Sequence, residues 1–404
     1  MEAWVLFFGI LWSSLIVRLV GTYTLTDEQN LHTALLSGYN TDLRPGTDRS
    51  FPLNISASFA PFSIKEFDLD TGKFTLTGIF VIEWNDERLA WNLATYNQIN
   101  VTSFPQSKIW LPNFININAY EDIRGLGSDL MRVDVFSSGL CSWYALQTFE
   151  VMCDTDVSKY PFDMQYCTLE FSIWGYQPGD IDVYFKSPQA ILTLYSENGI
   201  WEIAKSTTHT EDNSYGYEKI LVGFHLQRRL TYYITTMILP LASIALLFAF
   251  VFLIPPESGE RLGYSTTILL AIVVYLTIIQ DMLPESSEPD VSVLSYILVC
   301  YVVSGVVLVI LVIGSLRIQN LPSSKPVPDL CARFVIFCRK RKTENAVKRL
   351  DSKSMEVNDD DDDDDRIKKV TWTDVGHCFD MICFLFQISI FIITLVIFFA
   401  LTSS

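Results

Sequence analysis

Four apolar runs in the second half of the chain, residues 232–254, 262–279, 291–313 and 381–401, constrain most tightly what it can fold into. Each has about the 20 residues that an α-helix needs to cross a hydrocarbon core. None contains an internal Lys or Arg. Buried helices of a soluble protein are the competing reading, and four such runs in one chain argue against it. Pro240 falls inside the first run, which membrane helices tolerate. A fifth apolar run, residues 3–20, opens the chain and is followed by Gly21 and Thr22. It is expected to be a signal peptide over 1–21; its start carries Glu2 and no base, so a signal anchor is the alternative.

The chain has 404 residues, 50% of them apolar, and a formal net charge of −17. Such acidity beside such hydrophobicity implies that apolar and acidic segments are separated along the chain. A mostly disordered chain is thereby excluded, and a single soluble domain is not expected. A nucleic-acid partner is not expected, because phosphate contacts need clustered bases. Residues 314–375 carry 13 Lys and Arg, whereas 281–290 carry no base and four acids. The positive-inside rule places the basic loop in the cytoplasm and the short acidic linker outside. Three spans between them put residues 22–230 outside, and a fourth puts the C-terminus outside. The expected organisation is an extracellular domain over 22–230, three helices over 231–313, a cytoplasmic loop over 314–375, and a last helix with the C-terminus over 376–404. The expectation is a multi-pass protein in contact with lipid, placed in the plasma membrane.

The outer segment reads as all-β. Stretches rich in Thr, Val, Ile, Phe and Tyr recur at 73–84, 131–136, 166–174 and 221–228, separated by the turn signals Asp70-Thr-Gly72, Ser137-Ser-Gly139 and Gln177-Pro-Gly-Asp180. One helix is expected over 27–36, capped by Thr26 or Asp27. The pattern favours a β-sandwich. Three cysteines, Cys141, Cys153 and Cys167, lie here; three is odd, so one at least is unpaired within the chain. Asn54 and Asn100 open glycosylation sequons, as a secretory route permits.

Cys153 and Cys167 enclose 13 residues, with Tyr160-Pro-Phe-Asp163 inside. This segment resembles the signature disulfide loop of the Cys-loop receptors, the pentameric ligand-gated ion channels. Further matching segments are Glu83-Trp-Asn-Asp-Glu-Arg-Leu-Ala-Trp91, Ile109-Trp-Leu-Pro112, Trp174, and Glu257-Ser-Gly-Glu-Arg261 before the second run. Within the superfamily the chain is most similar to the nicotinic acetylcholine receptors. The resemblance implies a Cys153–Cys167 disulfide and five subunits, identical or related, around a central pore lined by the second membrane helix.

The residues of that helix are compatible with such a pore. Glu260, Gly263, Thr267, Leu270, Val274, Ile278 and Asp281 recur at spacings of three and four, so they share one helical stripe. In five copies Leu270 and Val274 would form apolar rings able to block ions by dewetting, and Glu260 and Asp281 acidic rings at the two mouths. Glu257 lies near the inner entrance. Acidic rings favour cations, so Na⁺ and K⁺ are the expected permeant ions. Arg261 is the competing charge; the resemblance implies that it points away from the lumen. Anion-selective relatives carry a Pro-Ala insertion that Ser258-Gly-Glu260 lacks.

The resemblance also implies an agonist site between subunits, boxed by aromatics. Such a box suits a small cationic ligand, because aromatic faces attract a cation within about 6 Å. Trp174 falls at the principal tryptophan, Tyr217 and Tyr215 on the capping loop, and Trp143 and Tyr144 on the complementary strand. The chain departs from the nicotinic pattern in three places: no cysteine pair lies within 209–217, and Ile117 and Ile79 stand where two box aromatics are expected. A different small ligand, or an orphan subunit that needs a partner chain, fits these departures as well as acetylcholine or better. For coupling, the resemblance points to the turn 68–72 with Asp70, to Tyr160, Pro161, Phe162 and Asp163, to Arg228, and to the linker from Pro284. Asp70 and Asp163 are candidate ion-pair partners of Arg228.

In the cytoplasmic loop, 329–342 reads as a basic amphipathic segment and 359–365 is a run of seven aspartates. That run lacks the glycine and spaced ligands of a Ca²⁺ loop. No metal or other cofactor is expected, and no His-Glu-x-x-His, P-loop or Gly-x-Ser-x-Gly motif suggests an enzyme. A four-span adhesion protein would need neither the polar stripe nor the disulfide-loop motif.

Overall fold

The computed structural model describes residues 23–212, 218–283, 291–322, 325–336 and 370–403. The expected signal peptide, Tyr215, Tyr217, Pro284 and the aspartate run lie outside the described residues. The chain divides into two compact units. One comprises residues up to Thr155 together with Met164–Arg228, the other Asp156–Asp163 with Arg229–Ser404.

The first unit opens with helix α1, Leu25–Leu36. Its cap is Thr24 rather than Thr26 or Asp27. The Thr24 hydroxyl accepts from the Asp27 amide at 3.3 Å, and the Asp27 carboxylate accepts from the Thr24 amide at 2.8 Å. This reciprocal pair satisfies two otherwise orphaned donors. It also holds the Asp27 carboxyl below its ordinary range.

Ten strands follow. Strands β1 (Leu53–Asp68), β2 (Lys73–Asn85), β3 (Val101–Pro105), β5 (Arg132–Phe136), β6 (Leu140–Met152) and β8 (Ile181–Phe185) form one sheet in the order β3-β5-β6-β2-β1-β8. Strands β4 (Phe114–Asn116), β7 (Met164–Ile173), β9 (Trp201–Asp212) and β10 (Glu218–Arg228) form the other in the order β4-β7-β10-β9. The four sequence-predicted strands correspond to β2, β5, β7 and β10. Alternation drives the packing: Phe74, Leu76, Phe80 and Ile82 of β2 are buried, while Ile79 and Val81 between them are half-buried on the opposite face. Phe80 meets Phe59, Phe149 and Phe171 at ring distances of 4.6, 5.7 and 5.0 Å. These aromatics knit the two sheets into one core.

The β1–β2 hairpin turns at Gly72, whose φ of +69° suits a residue without Cβ. A Cβ there would sit 2.6 Å from the Cys153 carbonyl oxygen, and the Cys153 amide donates to the Gly72 carbonyl at 2.8 Å. The Cys153–Cys167 disulfide forms, with Cα atoms 5.3 Å apart. Cys141 is a free, buried thiol, and burial pushes its pKa up.

The second unit holds four helices long and apolar enough to cross a membrane. They are α2 (Thr231–Leu253), α3 (Arg261–Gln280), α4 (Val293–Gln319) and α6 (Trp372–Ser403), with the short α5 over 329–336 between the last two. Pro240 opens the regular α-helical part of α2, just after a π turn over Ile234–Ile238. Proline has no amide hydrogen to offer the carbonyl four residues back, and that carbonyl, of Thr236, accepts from the Tyr275 hydroxyl of α3 at 2.8 Å, as does that of Met237. Two helices outrun their apolar segments: α4 continues through Arg317 to Gln319, and α6 begins nine residues before the apolar run. Those extra turns carry polar side chains that hydrogen-bond within the unit, as Asp380 does with Ser315 and Gln319.

Candidate functional site

In the first unit, the aromatic motif segments are structural. Trp84 and Trp110 are buried and meet edge to face at 5.7 Å. Beside them Asp86, fully buried, accepts from Arg88 at 2.7 and 2.8 Å and from the Tyr39 hydroxyl at 2.7 Å. The same hydroxyl accepts from the Trp110 amide at 3.0 Å. Burial first, and the Asp86 carboxylate second, push the Tyr39 pKa up. This lock joins the loop before β1 to both tryptophan motifs. Sequence reasoning missed it, since Tyr39 and Asp86 are 47 residues apart.

The proposed ligand-site residues separate by face. Trp174 stands at the end of β7, 65% exposed. Its amide donates to the Asn113 carbonyl at 2.9 Å, and the Asn113 side chain returns a bond to the Trp174 carbonyl at 3.3 Å. The backbone is thereby held while the indole remains open to solvent. Ile117, in the turn just after β4 of the same sheet, is half-buried, its amide bonded to the Glu170 carbonyl at 2.9 Å. Glu170 in turn pairs with Lys219 at 3.3 Å.

On the six-stranded sheet, Ile79 faces Leu146 across β2–β6 and Val81 faces Tyr144. Tyr144 and Leu146 are exposed, so these four side chains form one apolar patch. Leu146 and Val81 went unnoticed in the sequence, although alternation from Tyr144 and Ile79 points to both. Trp143 requires correction as a ligand-site residue. It is 1% exposed, and a Cβ on Gly127 would lie 2.4 Å from its ring. Neighbours along a strand point to opposite faces, so Trp143 fills the core and only Tyr144 reaches the outer face. The Trp174 and Tyr144 patches lie on different sheets. Among the described residues, one chain does not close them into a single box.

Arg228 is buried at the end of β10, with its guanidinium 4.3 Å from the centre of the Trp201 ring. In the β1–β2 turn, the Asp70 amide and the Thr71 hydroxyl donate to Asp68 at 2.9 and 2.7 Å, holding that carboxyl below its ordinary range. Asn54 and Asn100 are both exposed.

In the second unit, Tyr160 and Pro161 are buried. The Tyr160 hydroxyl donates to the Met282 carbonyl at 3.2 Å, and its ring lies 5.6 Å from Tyr233 of α2. Phe162 packs on Phe398 of α6 at 5.8 Å, and Asp163 is buried. The Tyr160–Asp163 segment therefore belongs to the helical core. Along α3, Glu260, Gly263, Thr267, Leu270, Val274, Ile278 and Asp281 are all exposed, as is Glu257 before it. Arg261, Ser265, Ile268, Ile272 and Ile279 are buried on the other side. Arg261 thus points away from the exposed stripe, as expected. No group of His, Cys, Asp and Glu among the described residues could hold a metal ion.

Two family models match successive parts of the chain. Residues 28–230 match the neurotransmitter-gated ion-channel ligand binding domain, and residues 237–336 match the neurotransmitter-gated ion-channel transmembrane region. Ligand-gated ion channel 4 of Caenorhabditis elegans is 30% identical over 282 residues, 67% of this chain and 44% of that protein. Neuronal acetylcholine receptor subunit beta-4 of Rattus norvegicus is 30% identical over 254 residues, 62% of this chain and 50% of that one. Acetylcholine receptor subunit alpha-type acr-16 of C. elegans is 28% identical over 266 residues, covering 65% and 53%. The chain spans about half the length of the curated relatives it matches. With a β-sandwich followed by four apolar helices, and the sandwich and the first three helices matched in order, the chain belongs to the Cys-loop family of neurotransmitter-gated ion channels, not to an enzyme family.

Proposed function

We propose that the chain is a subunit of a cation-selective, ligand-gated channel of the plasma membrane. Five such subunits, identical or related, would surround a pore lined by α3, with the β-sandwich and the C-terminus outside. The observation that carries this reading is the exposed stripe of α3. Its acids, Glu260 and Asp281, stand at the two ends, its middle is apolar at Leu270 and Val274, and its one neighbouring base, Arg261, is withdrawn. Acidic rings attract cations and the apolar rings between them would form the gate. Na⁺ and K⁺ are the permeant ions.

The agonist site would form where Trp174 of one subunit meets the Ile79–Tyr144 patch of the next, the two patches being on different sheets. A small cationic agonist suits the exposed indole. Voltage-clamped oocytes expressing the chain test this: the reversal potential of the ligand-evoked current must shift with external Na⁺ and not with external chloride. A second reading, a subunit that contributes Trp174 but needs a related partner for the opposite wall, is favoured by one observation. The Ile79–Leu146 pair puts aliphatic side chains where a cation would want ring faces.

A further inference from the structure

The base beside the acids at the start of α3 is held by a single acid on α6. Arg261 follows Glu260 directly, yet it is 2% exposed. A guanidinium has five N–H donors, and every one finds an acceptor. Nε donates to the Ile254 carbonyl. Nη1 donates to Asp380 Oδ1 at 3.0 Å and to Ser315 Oγ at 3.2 Å. Nη2 donates to Asp380 Oδ2 at 2.8 Å and to the Phe252 carbonyl at 3.3 Å.

The two carbonyls belong to the end of α2, where a cation is favoured. Only Asp380 supplies the opposite charge in this set. Asp380 is itself 5% exposed, and it accepts further bonds from Ser315 and from Gln319 Nε2 at 2.8 Å. It sits on α6.

We infer that Asp380 is a positioning residue for ion selectivity. It neutralises Arg261 and keeps the guanidinium behind α3, so that Glu257 and Glu260 face the ion path uncompensated. The inference rests on the cation-channel reading above. A buried guanidinium robbed of its counter-charge is strongly unfavourable. The direct neighbour of Arg261, Glu260, is exposed to solvent. Without Asp380 the arginine turns toward it, and five positive charges then offset the inner acids. The residue that sets the field at the mouth would thus lie 119 positions along the chain from the arginine it holds.

The test compares Asp380→Asn, Arg261→Gln and the double variant, alongside wild type. Single-channel conductance and reversal potential in diluted NaCl are read, with surface biotinylation as control. Asp380→Asn is expected to lower conductance by about two-fold or more and to move the reversal potential toward that of chloride. The double variant, which removes the stranded charge, is expected to return both values to those of wild type. A purely structural role for Asp380 would change open probability and surface density but leave conductance and reversal unmoved. If Asp380→Asn conducts as wild type does, or the double variant is as impaired as the single one, the inference is overturned. Should Asp380→Asn stay inside the cell, co-expressing it with wild type decides the matter: single-channel conductances below that of wild type support the inference, and wild-type conductance alone, with the variant detected at the surface, overturns it. Wild-type reversal at the chloride potential would instead refute the cation-channel reading itself.

Discussion

Replacing Leu270 with Ser is expected to leave the channel open without agonist. Leu270 is 63% exposed in the single chain, so most of its surface is free to meet its counterparts in an assembled ring. Complete burial of a leucine side chain is worth about 1.5–3 kcal/mol. Closing the ring over roughly half of the free portion therefore stabilises the shut pore by ~0.7 kcal/mol per subunit. Five copies give ~3.5 kcal/mol, which shifts a two-state gate by between about two and three decades. Serine forfeits this term, and its hydroxyl wets the constriction. In voltage-clamped oocytes the variant should show a standing current that a pore blocker removes, and any activating ligand should act at lower concentration. A variant present at the surface with no standing current and an unchanged half-maximal concentration would refute the idea that Leu270 closes the pore.

Trp174→Ala should raise the half-maximal concentration of a cationic agonist about ten-fold, the loss of one cation–π contact of ~1 kcal/mol or more. Trp143→Ala should leave potency alone and instead reduce the amount of channel at the surface, because its ring fills the sandwich core. Cys153→Ser with Cys167→Ser opens a 13-residue loop and should cost about 3 kcal/mol in the chain-entropy model; surface biotinylation of the double variant should fall sharply. Tyr275→Phe removes the donor to the Thr236 and Met237 carbonyls, at ~0.6 kcal/mol per membrane hydrogen bond. Thermal unfolding of detergent-purified channel should show a lowered midpoint, and an unchanged one would mean that those carbonyls are satisfied without Tyr275.

What could be read in advance follows the range of the interaction concerned. Period-two burial in β2 and the stripe of α3 are local patterns, and both were visible in the residues. The ends of α4 and α6 were not, because polar residues extend each helix beyond its apolar run. Trp143 and Tyr144 look alike as a pair of aromatics, yet strand alternation turns one inward and the other outward. Thr24 rather than Thr26 caps α1, a choice made by the reach of Asp27 back to the Thr24 amide. The Tyr39–Asp86–Arg88 lock and the Arg261–Asp380 pair join residues 47 and 119 apart, and no spacing rule links such partners.

The most direct measurement of the central claim is the reversal potential of the current carried by this chain while external Na⁺ and Cl⁻ are varied separately. A pore lined by the Glu260 and Asp281 stripe predicts a reversal potential that follows Na⁺ and K⁺ and ignores chloride. A reversal potential that follows chloride, in wild type or in the standing current of Leu270→Ser, would contradict it.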